Sequence, residues 1–254
     1  MTIVPPPLQF EMAADAYSPW AVHGRIVKGQ KTKIYELFPK PTPEQVSNIF
    51  FKQKLLTAPD AILVCGNKKL CLEAACKTVE LYQYYATNGH TPLICVSGGT
   101  IVNEERPGID QDGQKRKRSE AIVTGEFIGR HIAGDHIVYE QYAKNTGENI
   151  EKGLVEIKKR KPGAHNIMII GSMYGGTRTW LTAQKLHPEV DWGIDYYWKE
   201  GVNFRNWHEN GAAEEIYDQF AKLYLYEVVG HISPLNGKEL TIRAAHRKET
   251  PCPA

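Results

Sequence analysis

Hydrophobic and polar positions along the chain repeat on two length scales. Short apolar runs occur at Ala61-Ile62-Leu63-Val64, Leu93-Ile94-Cys95-Val96, Ile137-Val138-Tyr139 and Ile167-Met168-Ile169-Ile170. Between them lie longer segments in which apolar residues recur every three or four positions. An uninterrupted apolar run bounded by turn residues reads as a strand buried on both faces, and the longer period as a helix with one buried face. Their alternation predicts an α/β protein with a Rossmann-like, three-layer arrangement, a parallel sheet with helices on both faces.

Thr42-Pro43-Glu44-Gln45 opens the first predicted helix, with Thr42 as N-cap, Pro43 at the first helical position and Gln45 completing a capping box. Val46, Ile49, Phe50 and Leu56 give it an apolar face. A long helix follows the first strand through Leu72, Ala75, Val79 and Tyr82 and ends near Asn88-Gly89. Further helices are predicted from Ser119 to about Ile132, Thr146 to Lys159, Thr177 to Leu186 and Ala212 to Val229, and Val190 to Tyr196 is a candidate additional strand. The stretch from Asn103 to Lys117 is polar, with turn signals at Pro107-Gly108 and Asp112-Gly113. One domain accounts for the pattern: an N-terminal extension and packing helix (1–59), an α/β core (60–196), and an aromatic loop, C-terminal helix and tail (197–254).

Composition narrows the picture. The 254 residues carry 31 basic and 29 acidic side chains, a net charge of +2, which gives no reason to expect nucleic acid as a partner. Basic residues cluster at Lys115 to Arg118, a candidate phosphate clamp, and at Lys158 to Lys161, which suits a helix end. The cysteines, Cys65, Cys71, Cys76, Cys95 and Cys252, include no C-x-x-C pair and no zinc spacing. Four lie in strand-like or helical runs where a reduced thiol is the default, which points to a reducing compartment. With neither a signal-peptide pattern at the start nor a transmembrane run, the expectation is a cytoplasmic protein.

The chemistry is expected where strands end. Each apolar run leads into a polar loop: Cys65-Gly66-Asn67, Ser97-Gly98-Gly99-Thr100, Glu140 to Asn149, and Gly171 to Arg178. In an open parallel sheet these ends converge on one crevice, where helix N-termini present N–H groups and positive dipole ends. Gly98 and Gly99 permit a turn that brings backbone N–H groups onto an anion, although a Gly-Gly turn also serves without any ligand. Ser97 lacks the G-x-S-x-G elbow and reads first as a hydrogen-bonding residue. Glu120 and Glu140 are the candidate catalytic carboxylates, for activating water or holding a metal ion. Asn145, Thr146, Glu148 and Asn149 exceed what one helix cap requires. Arg178 begins a helix, where a cation needs a negative partner: a bound phosphate, or Glu120 or Glu140 in an ion pair. Ser172 and Tyr174 precede it in a glycine-rich loop. The segment Trp198 to Glu209 is either an aromatic wall for a ring or a packed loop.

Taken together, Ala61-Ile62-Leu63-Val64-Cys65-Gly66, Val96-Ser97-Gly98-Gly99, Ser119-Glu120-Ala121, Glu140 with Asn145-Thr146-Gly147-Glu148-Asn149, and Ser172 with Arg178 resemble the YdcF-like family, the group that includes the SanA and ElyC envelope proteins. The resemblance covers about Asp60 to Tyr196. It implies a Rossmann-like domain with a ligand site at the strand ends and carries Ser97, Gly98, Gly99, Glu120, Glu140, Asn145, Thr146, Asn149 and Arg178 into it. Two positions depart from the family pattern: Gly175 stands where many members have histidine, and Cys71 where many have arginine. A proton-transfer role for that histidine does not carry over, nor does a role in the cell envelope.

The resulting expectation is an enzyme that hydrolyses or transfers at a phosphoester or pyrophosphate of a phosphorylated or nucleotide-like small molecule. Its ligand-binding residues are Asn67, Ser97, Gly98, Gly99, Thr100, Asn145, Thr146, Asn149, Ser172, Tyr174 and Arg178, with Glu120 and Glu140 catalytic. Mg2+ and S-adenosylmethionine are the cofactors these loops admit. One alternative is an S-adenosylmethionine-binding group-transfer enzyme, and another is a ligand-binding module without catalysis. The strict G-x-G-x-x-G fingerprint is absent, which argues against NAD.

Overall fold

The computed structural model describes residues 41–67, 69–99, 101–102, 118–228 and 230–234. Thr100, the run Lys115 to Lys117, residues 1 to 40 and most of the polar stretch after Val102 lie outside the described residues. The element order is α1 (Pro43–Phe50), β1 (Ala61–Cys65), α2 (Cys71–Thr87), β2 (Leu93–Ser97), β3 (Ile101–Val102), β4 (Arg118–Ser119), α3 (Glu120–Ile128), β5 (Ile137–Glu140), α4 (Thr146–Arg160), β6 (Asn166–Ser172), α5 (Gly176–Leu186), β7 (Asp191–Tyr197) and α6 (Ala213–Val228).

The main sheet is parallel, in the order β5-β2-β1-β6-β7. The chain builds outward from β1 through β2 to β5, then returns to β6 on the other side of β1. The switch point therefore lies between the carboxyl ends of β1 and β6, where open α/β sheets place ligands. Strand residues divide by parity. Ile62, Val64, Ile94, Val96, Met168 and Ile170 pack with Ala74, Ala75 and Val79 of α2 and with Ala121 and Ile128 of α3. On the other face Leu63, Cys95, Ile167 and Ile169 pack with Ile150 and Leu154 of α4 and Trp180 and Leu181 of α5. Val46 and Phe50 of α1 and Ile216 and Phe220 of α6 belong to this second cluster, so both flanking helices share the core.

Several local signals act as read, although Leu56 lies beyond the end of α1 at Phe50 and packs in the cluster of α2 and α3 rather than on the apolar face of α1. Thr42 and Gln45 form the reciprocal capping box of α1. Gly89 takes a φ of 81° after α2, with the Gly89 and His90 N–H groups closing on the Ala86 and Tyr85 carbonyls in a Schellman turn. The candidate strand near Val190 is β7, whose edge is covered by Lys54 exchanging backbone hydrogen bonds with Ile194. The helix predicted to reach Ile132 ends as an α-helix at Ile128 and continues in turns. The antiparallel β3–β4 ladder pairs Ile101 with Ser119 and Val102 with Arg118, too short to leave a pattern in the sequence. Cys65, Cys71 and Cys95 are buried thiols, whereas Cys76 is disulfide-bonded, contrary to the reduced side chain expected there. Among the described residues no helix is long and apolar enough to cross a membrane.

Candidate functional site

The strand-end loops fall into two groups. On the β2–β5 side they close on themselves. Gly98 donates its N–H to the Glu140 carbonyl at 2.9 Å, and Gly99 donates to the Ala143 carbonyl at 2.9 Å. Both N–H groups expected to cradle an anion are therefore engaged by the protein's own backbone. The glycines serve a different need, which is close approach. A Cβ on Gly99 would meet the Ala143 carbonyl oxygen at 2.7 Å and that of Gln141 at 2.8 Å.

Glu140 is the fastener of this half. Its buried carboxylate accepts from the Tyr142 N–H at 2.6 Å, from the Ala143 N–H at 3.0 Å and from the Ser97 hydroxyl at 2.7 Å. Ser97 is fully buried, and its Oγ lies 3.2 Å from Asn149 Oδ1. One hydroxyl proton cannot serve both oxygens, and the shorter contact assigns it to Glu140. Ser97 is thus a strut between β2 and β5, and Glu140 is a positioning residue whose lone pairs are occupied. Asn145 is the N-cap of α4: its Oδ1 accepts from Glu148 N–H at 3.0 Å, and its amide reaches Glu148 Oε1 at 3.0 Å. Thr146 is the first residue of that helix, half-buried.

Glu120 stands over the middle of the sheet. The chain enters α3 through Ser119, which caps it by accepting from the Ile122 N–H, and the Ala121 N–H donates to the Gly98 carbonyl at 3.2 Å. That places Glu120 against two glycines: a Cβ on Gly66 would lie 2.6 Å from Glu120 Oε2, and one on Gly98 would lie 2.9 Å from it. The carboxylate sits in a cradle that only glycines leave open, above the ends of β1 and β2. Cys65, beneath it, is pushed up to about 12 by burial first, then by the charges of Glu120 and Glu140.

The β1–β6 side is built differently. The β1–α2 loop carries Asn67, whose Oδ1 accepts from the Lys69 N–H at 3.1 Å and whose carbonyl accepts from Cys71 Sγ at 3.2 Å. The β6–α5 loop carries Ser172, whose Oγ accepts from the Gly175 N–H at 3.1 Å. Tyr197 ends β7 in register with Ser172 of β6. Burial raises its phenol far above the ordinary range, nearby Cys65 and Cys71 add to the shift, and hydrogen bonding with Ser172 and Asn67 pulls it partly back. Tyr174 packs against both core clusters, and its phenol is raised by burial and by Glu215 of α6.

Helices α2 and α5 begin here, at Leu70 and Gly175, with no side-chain cap. Their ends are not equivalent. The first turn of α2 contains Glu73, whereas that of α5 contains no acidic residue. Each of the other described α-helices has at least one there, Glu44, Glu120, Glu148, or Glu214 and Glu215. Arg178 occupies that turn of α5. Its Nη1 donates to Gln219 Oε1 at 3.2 Å, and its Cζ lies 5.6 Å from the Tyr226 ring centre, so α6 holds it rather than Glu120 or Glu140. Thr177, in the same turn, donates to the Phe50 carbonyl at the end of α1, and its hydroxyl lies 2.8 Å from that of Tyr196. The flanking helices α1 and α6 thus fix the start of α5.

Other candidates are absorbed by structure. Arg118 pairs with Glu126 at 2.8 Å, and Lys161 with Asp60 at 2.8 Å. The aromatic segment is a packed loop: Trp207 is fully buried, donates to Ser47 Oγ at 3.1 Å, and stacks around Phe51 with Trp198 and Phe204. Sequence reading missed Tyr197, whose role depends on β7 lying beside β6, and Lys69, exposed in the β1–α2 loop. It also missed the buried Asp195, which accepts from Gln53 at 2.6 Å and pairs with Lys77 of α2 at 3.1 Å. Among the described residues, no three His, Cys, Asp or Glu side chains gather closely enough to hold a metal ion. Compared with protein-family models and with curated proteins, the chain matches none.

Proposed function

We propose that this chain is a YdcF-like enzyme that hydrolyses or transfers at a phosphoester or pyrophosphate of a small molecule, with its anion held at the start of α5. One observation carries the reading. At the switch point, α5 opens with no side-chain cap, no acidic residue in its first turn, and an arginine in that turn held by an amide and a ring rather than by a carboxylate. Helix N–H groups that no side chain caps, the positive dipole end and a guanidinium together favour a phosphate group.

Glu120 supplies the chemistry beside it. Its carboxylate lies over the ends of β1 and β2, and β1 adjoins β6 at a strand spacing of about 5 Å. A phosphorus atom bound at α5 lies within reach of a water or acceptor hydroxyl oriented by Glu120. In hydrolysis Glu120 takes the proton of that water as its oxygen bonds to phosphorus, and the phosphorus–oxygen bond to the leaving group breaks. Arg178 and the helix N–H groups stabilise the charge that gathers on the phosphoryl oxygens. The described side chains do not form a metal-binding set, so no step here is assigned to Mg2+.

Phosphate release from a panel of phosphomonoesters and pyrophosphates tests the reading. Glu120→Gln is expected to lower kcat by about 100-fold or more with KM little changed, and Arg178→Ala to raise KM by about tenfold. Turnover by Glu120→Gln at the parent rate would remove Glu120 from the chemistry.

A further inference from the structure

Among the described residues, Tyr142 is the most exposed of the large hydrophobic side chains, at 79%. An exposed tyrosine on a loose loop carries no information, but the backbone beneath this one is pinned from several sides. Its own N–H donates to Glu140 Oε1 at 2.6 Å, and the next N–H, that of Ala143, donates to the same carboxylate at 3.0 Å. Its carbonyl accepts from Lys152 Nζ at 3.2 Å. The Ala143 carbonyl accepts from Gly99 at 2.9 Å, and a Cβ on Gly99 would touch the Tyr142 carbonyl carbon at 2.9 Å. A buried glutamate, a buried serine and a close-approach glycine thus hold in place the backbone that carries this exposed phenol ring at the rim of the strand ends.

The position matters as much as the rigidity. Tyr142 follows β5, separated from β6 and the start of α5 by β2 and β1. Three strand spacings are about 14 Å. Between the two ends of that line lies Glu120, above Gly66 and Gly98. An anion site at α5, Glu120 within reach of the phosphorus, and an aromatic ring at the far end match an extended nucleotide with its phosphates at α5 and its base at Tyr142. An aromatic ring carried on a backbone that is already fixed stacks on a base at the ordering cost of its own side chain, with none for the loop.

We infer that the site takes a nucleoside di- or polyphosphate rather than a simple phosphate, with the exposed ring of Tyr142 stacking on the base. The inference rests on the anion site proposed at α5. Isothermal titration with ADP and with inorganic pyrophosphate tests it, on the parent chain and on the Tyr142→Ala and Tyr142→Phe variants. The parent is expected to bind ADP about tenfold tighter than pyrophosphate. Tyr142→Ala should weaken ADP by about fivefold to 100-fold and leave pyrophosphate unchanged, and Tyr142→Phe should retain the ADP affinity. Unchanged pyrophosphate binding by Tyr142→Ala also reports that the fold is intact. Equal affinity of the parent for both ligands, or an ADP affinity untouched by Tyr142→Ala, overturns the stacking role while leaving the anion site standing. Binding of neither ligand overturns both.

Discussion

The two halves of the strand-end rim use similar residues to opposite ends. On the β2–β5 side Gly98, Gly99, Glu140, Ser97 and Asn145 spend their hydrogen-bonding capacity on one another and on the chain. On the β1–β6 side two helices begin without side-chain caps, and Arg178 is held by an amide and a ring. A rigid, self-satisfied half beside a half with donors to spare is what a binding site needs: one to keep the geometry, the other to meet the ligand. The lesson is that polar residues at strand ends do not announce which of these jobs they hold. The partner decides.

Glycine substitution should separate the halves most sharply. Gly99→Ala places a methyl 2.7 Å from a backbone carbonyl oxygen that is itself hydrogen-bonded, and is expected to cost about 3 kcal/mol in urea unfolding. Gly175→Ala, whose nearest neighbours are the ends of Arg178 and Ser172 at 3.7 Å, should change stability by less than about 0.5 kcal/mol. Equal costs would erase the distinction between the closed and open halves.

Glu140→Gln comes next. It replaces a carboxylate that accepts from two N–H groups and a hydroxyl, and a loss of about 2 kcal/mol is expected, read by the same unfolding experiment. A variant with parent stability and no turnover would instead make Glu140 a catalytic group. Ser97→Ala removes only the strut, so about 1 kcal/mol should be lost and turnover kept. Abolished turnover in a stable Ser97→Ala protein would restore Ser97 as nucleophile.

The smallest effect is a pH dependence at the boundary of the halves. Cys65 is raised from 9.0 to about 12 in the folded state by burial and then by Glu120 and Glu140. A raised pKa contributes stability that is complete below 9.0 and is lost as pH rises through about 12. By pH 9.5 this one group should remove less than about 1 kcal/mol, and Cys65→Ala should flatten that part of the alkaline loss. An unaltered slope would place the loss on Cys95, Tyr196 and Tyr197, which burial also raises.

Much of the scaffold was legible in the sequence because its causes are local. Strands buried on both faces must be apolar throughout, and Thr42, Ser119 and Asn145 each cap a helix with a side chain three residues from the N–H it satisfies. The site was legible only in part because its causes are not local. Gly98 and Gly99 look like an anion loop until β5 is placed beside β2, where the Glu140 and Ala143 carbonyls take their N–H groups. Arg178 looks like a partner for Glu120 or Glu140 until α6 brings Gln219 and Tyr226 to it. Trp207 looks like a ligand wall until Ser47 and Phe51 fill its surroundings. Tyr197 carries no signal at all in the linear chain, since its role comes from β7 lying next to β6.

The most direct test of the central claim is a backbone amide NMR titration of 15N-labelled protein with inorganic pyrophosphate. Saturable shifts are expected at Gly176, Thr177 and Arg178, with smaller ones at Leu72 and Glu73, while Gly98 and Gly99 stay still because their N–H groups are already bonded. Shifts concentrated at Gly98 and Gly99 with α5 unmoved would contradict it, and so would no saturable shift at all.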